Sequence, residues 1–221
     1  MNKKFNPACP RSAVALACTL GFLAPYAGDV EAQTMAYRPL THGVNDSSNE
    51  IPPGGTRADS NAFLPLVRSL SDRLDTAMQV ALSKWDSGHA VCDPTRETQV
   101  LEKAAAMAPS YGLTAKDATS IFADQIEANK EIQYALLNGW RREGAAPLTR
   151  RDDLSETVRP KLDELQKAIF RNLQALGRLR QSPDCQAQVA LAVGQVAQEK
   201  SLDALARAAL DRSTANICTR S

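Results

Sequence analysis

The sequence predicts an all-α protein, a single-domain helical bundle of five or six helices over residues 59–221. Three observations carry this. From residue 60 onward apolar residues recur every three or four positions, the period of an amphipathic helix. No run of alternating β-branched residues marks a strand. Helix start and stop signals punctuate the chain at bundle-like intervals.

The elements follow in order. Lys3, Lys4 and Arg11 precede an apolar run from Ala13 to about Ala27, and Val30-Glu31-Ala32 offers small residues for cleavage. This charged, apolar, small-residue order is that of a secretory signal peptide, residues 1–32. Residues 33–58, with Pro52, Pro53, Gly54 and Gly55 and no apolar period, read as a disordered linker. The first helix carries Phe63, Val67, Leu70, Leu74, Met78, Ala81 and Trp85 on one stripe, begins at Asp59 or Ser60 and stops at Ser87-Gly88. Asp93-Pro94 is an N-cap with proline at the first helical position, opening a second helix to about Met107. Thr114 and Asp117 form a capping-box pattern at the head of a long third helix ending near Arg141. The first and third helices each exceed 25 residues. Val158, Leu162, Leu165, Ile169, Leu173, Leu176 and Leu179 make the face of a fourth. Ser182-Pro183 starts a last helical segment, with a break near Ser201.

Composition narrows the function. The chain has 221 residues, 26 Lys+Arg against 25 Asp+Glu, and 43% hydrophobic residues. That balance is globular and lacks the basic surplus of a nucleic-acid binder. No apolar stretch reaches the roughly 18–20 residues that span a bilayer, so no membrane span is expected in the mature chain. Two His and five Cys, without CxxC or HExxH, give little scope for zinc chemistry or a Ser–His–Asp triad. Trimming after Ala32 leaves Cys92, Cys185 and Cys218, an odd set with one thiol over.

The informative anomaly is polar residues where a core should be. Arg73 and Lys84 stand 11 apart on the first helix, near the apolar face of Leu66, Leu70, Ala77 and Val80, about 16 Å from each other along the axis. Asn129 and Gln133 lie one turn apart on the third helix, among Phe122, Ile126, Leu136 and Trp140. Arg96 shares a face with Val100, Ala104 and Met107, close to Asp93 and Glu97, and Arg159 heads the fourth helix. A lone arginine beside a stripe usually snorkels to water. Recurrence on neighbouring helices argues instead for an inward pocket whose surplus cations suit a small dianion. Arginine is suited to bidentate carboxylate recognition.

In order and spacing these residues resemble the all-helical chorismate mutases of the AroQ type, most closely the exported gamma subclass. The likeness runs over about residues 60–218, through Arg73, Lys84-Trp85, Asp93-Pro-Thr-Arg96-Glu97, Phe122-Ala-Asp-Gln-Ile126, Asn129, Gln133 and Arg159-Pro160-Lys-Leu-Asp163. The resemblance implies a Claisen rearrangement of chorismate to prephenate within one molecule, with no cofactor and no metal. It implies that Arg73, Arg96 and Arg159 clamp the two carboxylates. Lys84 would contact a carboxylate and the ether oxygen, and Gln133 would donate to that oxygen. Asn129 falls where the family has a small hydroxyl residue near a carboxylate, and Asp93 and Glu97 fall near the ring hydroxyl. It further implies a Cys185–Cys218 disulfide, with Cys92 then the thiol left over, a periplasmic or secreted location, and a site complete within one chain; the subclass is often a homodimer. Two rivals are an isochorismate-pyruvate lyase on the same fold and a non-catalytic helical binding module of the periplasm.

Overall fold

The computed structural model describes residues 57–219. Every regular element among them is helical: α1 Arg57–Leu74, α2 Ala77–Ser87, α3 Pro94–Met107, α4 Ala115–Glu143, α5 Arg159–Leu176, α6 Cys185–Glu199 and α7 Ala204–Ser213. Short 3-10 turns follow α3 and α5, and a π turn at Leu154–Val158 leads into α5. The signal and nearly all of the linker lie outside the described residues. The helix starts at Arg57, so Asp59 and Ser60 fall inside its first turn instead of capping it.

The first predicted helix is divided. At Asp75–Thr76 the α-helical pattern is interrupted: the Thr76 N–H reaches back only to the Arg73 carbonyl, at 3.3 Å, and its hydroxyl donates to the same oxygen at 2.8 Å. Neither glycine nor proline marks this break. Burial continues on both sides of it, though not at every predicted position. Before it, Phe63, Leu66, Val67, Leu70 and Leu74 are buried; after it, Ala77, Ala81 and Leu82 are, while Met78 is 38% exposed. With α1 and α2 counted as one interrupted rod the bundle has the six helices the sequence predicts.

The caps explain the other boundaries. Asp93 accepts from the Arg96 N–H at 3.0 Å, and Glu97 returns to the Asp93 N–H at 3.2 Å, with Pro94 in the first turn. Thr114 accepts from the Asp117 N–H at 3.0 Å, but the Asp117 carboxylate turns away to Arg180 at 2.9 Å, so half of the expected reciprocal pair forms. Gly144, at φ +79°, closes α4 in a conformation that costs glycine little.

Two apolar clusters position the rest. In the larger, Phe122 on α4 and Tyr111 stack on Phe170 of α5, with ring centroids 5.2 and 5.1 Å apart. α1 packs between α5 and α6, and α4 lies against α2, α3 and α7. The smaller cluster, Ala81, Leu82, Val91, Leu137 and Trp140, sits between α2 and α4, with Trp85 edge-on to Trp140. A Cys185–Cys218 disulfide joins the start of α6 to the segment after α7, Cα atoms 5.9 Å apart. The chain doubles back as required: α6 ends at Glu199, and Ser201 takes φ +50° before α7. Cys92 is also disulfide-bonded, which overturns the expectation that it is the thiol left over.

Candidate active site

One cavity of about 190 Å³ is walled by the break between α1 and α2, by α3, α4 and the start of α5. Arg73, Lys84, Asp93, Arg96, Glu97, Asn129, Gln133 and Arg159 all line it. The sequence pattern therefore brings together, from separate elements, every residue singled out for substrate.

Each arrives for a local reason. Arg73 is the next-to-last residue of α1, 7% exposed, with its guanidinium 5.7 Å from the centre of the Phe122 ring. Lys84 stands in the last turn of α2, and its Nζ donates to the carbonyls of Ala90 and Val91 in the following loop. Arg96 follows the Asp93 cap in the first turn of α3 and donates to Gln99 at 3.3 Å. Arg159 is exposed and is delivered by the segment between α4 and α5. Gln79 of α2 clasps that segment, accepting from the Asp152 N–H at 3.0 Å and donating to the Arg150 carbonyl at 3.3 Å. Arg151 adds an ion pair to Asp86, also on α2, at 3.0 Å. Asp153 then caps the π turn through the Ser155 and Glu156 N–H groups.

The electrostatics are one-sided. Lys130, Arg180, Lys200 and Arg212 all reach carboxylates. Among the described residues Arg73, Lys84, Arg96 and Arg159 form no ion pair. Burial, with the neighbouring Arg96 charge, pulls the Arg73 guanidinium from the ordinary arginine range down to about 10, against the opposing pull of Asp163. Burial also lowers Lys84 from the ordinary lysine value, aided by Lys130 and opposed by Asp93 and Glu97. Cations that the protein itself leaves without an ion pair favour an incoming anion.

Sequence reasoning missed several lining residues. Lys130 bridges Glu97 of α3, at 3.3 Å, and Glu127, at 2.7 Å. Burial would lower Lys130, but the Glu127 hydrogen bond and the two carboxylate charges raise it overall. Asp163 also lines the cavity and pairs with Lys103 at 2.7 Å. Gln166, 3% exposed, and Gln125, 0% exposed, complete the wall. Lys130 shares the helical face of Ile126, four residues earlier, and that spacing was a usable signal. Gln166 hides within an amphipathic stripe and gave none.

Comparisons with known proteins point to one family. A family model described as chorismate mutase type II matches residues 65–134, which include Arg73, Lys84, Arg96, Asn129 and Gln133. The secreted chorismate mutase of Mycolicibacterium smegmatis is 31% identical over 166 residues, covering 75% of this chain and 91% of the relative. That of Mycobacterium tuberculosis is 30% identical over 167 residues, covering 75% and 83%. The crystal structure of chorismate mutase from Burkholderia phymatum superposes with a TM-score of 0.72 at 61% identity, covering 73% of this chain and 99% of that one. The chorismate mutase from Burkholderia thailandensis gives 0.68 at 31% identity, covering 72% and 99%.

Proposed function

The chain belongs to the chorismate mutase family, and from that premise we propose that the cavity is its active site and that the residues lining it divide two tasks. Chorismate carries two carboxylates and an enol ether. Its rearrangement to prephenate breaks the ether C–O bond while a C–C bond forms, all within one molecule. No proton must move and no nucleophile is needed. The first task is to hold the extended molecule compact, so that the two carbons meet. Arg73, Arg96 and Arg159 grip the carboxylates from different elements, which fixes the geometry of the folded substrate. The second task is to stabilise negative charge growing on the ether oxygen. Lys84 and Gln133 do this, one from α2 and one from α4. Asp93 and Glu97 lie on the side of the ring hydroxyl, with Glu97 steadied by Lys130.

The observation that carries this reading is the uncompensated cationic wall. Four cations without ion pairs face a cavity that also holds the buried Gln133 amide. A scaffold or chaperone gains nothing from leaving them so. The test is chorismate depletion by purified residues 33–221, repeated with Lys84→Ala and with isochorismate in place of chorismate. Turnover of chorismate, reduced by roughly 100-fold or more in the variant, is expected. Turnover of isochorismate alone, or of neither compound, would reject the assignment.

Export is part of the proposal. The two curated relatives are named as secreted, which supports residues 1–32 as a signal peptide. Sequencing the N-terminus of the exported protein should place cleavage near Ala32. A homodimer, if formed, would then pair two complete sites, since Arg159 comes from the same chain as Arg73. Specific activity should accordingly hold constant on dilution.

A further inference from the structure

We infer that Asn129 is a positioning residue. It ties the Gln133 amide to the backbone at the α1–α2 break and so fixes which way that amide faces. This rests on the reading of Gln133 as the donor to the ether oxygen.

The argument begins at the break. There the Arg73 carbonyl accepts from the Thr76 N–H and hydroxyl, and from α4 the Asn129 Nδ2 donates to it at 3.5 Å. A carbonyl oxygen only accepts, so the Asn129 amide has one sense: Nδ2 toward Arg73, Oδ1 away. That Oδ1 accepts from the Gln133 Nε2 at 2.7 Å. Because Oδ1 also only accepts, the sense of the Gln133 amide is determined in turn. One of its N–H bonds is used and the other is left to donate.

An independent sign of this control is the other end of the amide. Gln133 is 4% exposed, and its Oε1 has no hydrogen-bond partner among the described residues. An unpaired buried acceptor is unfavourable, but turning the amide over would set its oxygen against the Asn129 oxygen instead. The same network ends on the backbone of Arg73. The carboxylate clamp and the ether-oxygen donor are therefore set from one point in the fold.

A positioning role and a carboxylate-binding role for Asn129 give different kinetics. Asn129→Ala should lower kcat on the order of 10-fold, as expected for a misaligned donor, with KM within about 3-fold of the parent. In a Gln133→Ala background the same change should cost less than about 2-fold more, because the residue it positions is gone. A raised KM at unchanged kcat, or losses that multiply in the double variant, would overturn the inference. If Gln133→Ala keeps full kcat, the donor reading fails as well, an outcome distinct from Asn129→Ala alone being silent. Should Asn129→Ala not fold, nitrogen-15 NMR of the parent protein decides. Slower solvent exchange of the Nε2 proton directed at Asn129 than of its geminal partner supports the tether, and equal exchange of the two refutes it.

Discussion

Replacing Arg73 by methionine should make the protein more stable and nearly inactive. At neutral pH the guanidinium is charged in both the folded and unfolded chain. Burial beside Arg96 lowers its folded value from the ordinary arginine range to about 10. At about 1.4 kcal/mol for each pH unit, that corresponds to about 3 kcal/mol against the folded state. The sign follows from linkage. The folded value lies below the unfolded one, so the penalty is full below about pH 10 and fades only as pH rises toward the ordinary arginine value. Methionine keeps the long apolar stem and removes the charge, but forfeits the cation–π contact with Phe122, worth about 1 kcal/mol. The net gain is then about 2 kcal/mol, or roughly 4–8 °C in Tm for a domain of this size. Activity should fall by roughly 100-fold or more in kcat/KM. Urea unfolding monitored by Trp85 and Trp140 fluorescence, beside chorismate depletion, measures both. A non-reacting dicarboxylate bound in the cavity should raise the Tm of the parent and much less that of the variant. If Arg73→Met unfolds at lower urea than the parent, the cavity cations are compensated after all and the electrostatic account fails.

Other outcomes follow from the same geometry. An amide at 133 donates at any pH, so kcat should be flat from about pH 5 to 8. Gln133→Glu should give an acidic optimum, because only the protonated carboxyl can donate; a flat profile in that variant would count against Gln133 as the donor. Above this range kcat/KM should decline as Lys84 loses its proton, with a midpoint below the ordinary lysine value of 10.5 because burial lowers it. Mass mapping of the non-reduced protein should recover the peptide pair holding Cys185 and Cys218, and breaking that bond by Cys185→Ala should cost roughly 3–4 kcal/mol in chemical denaturation. Gln79→Ala or Asp86→Ala should loosen the segment that delivers Arg159 and raise KM several-fold with little change in kcat. In an Arg159→Ala background the same changes should add almost nothing, and full additivity there would reject the clasp.

Much of the molecule was legible because its signals are local. An amphipathic period and a cap involve residues within one or two turns, so α3, α4 and α5 begin close to where Asp93, Thr114 and Val158 place them. The site was legible for a related reason. Arg73, Lys84, Arg96, Asn129 and Gln133 interrupt apolar faces, and a polar group on such a face needs a compensating partner that the sequence did not supply. The tertiary structure alone decided three things. It divided the first helix at Asp75–Thr76, where the hydrogen bonds that occupy the Arg73 carbonyl come partly from α4. It gave Lys130 its role, which exists only because Glu97 of α3 lies across from it. It also left Arg73, Lys84, Arg96 and Arg159 without ion pairs while Arg180, Lys200 and Arg212 found theirs. Sequence periodicity tells which way a side chain points along its own helix, but it does not tell what stands opposite. Charge compensation falls off over a few ångströms, so only the packed arrangement of helices determines which charges the protein neutralises and which it keeps for a ligand.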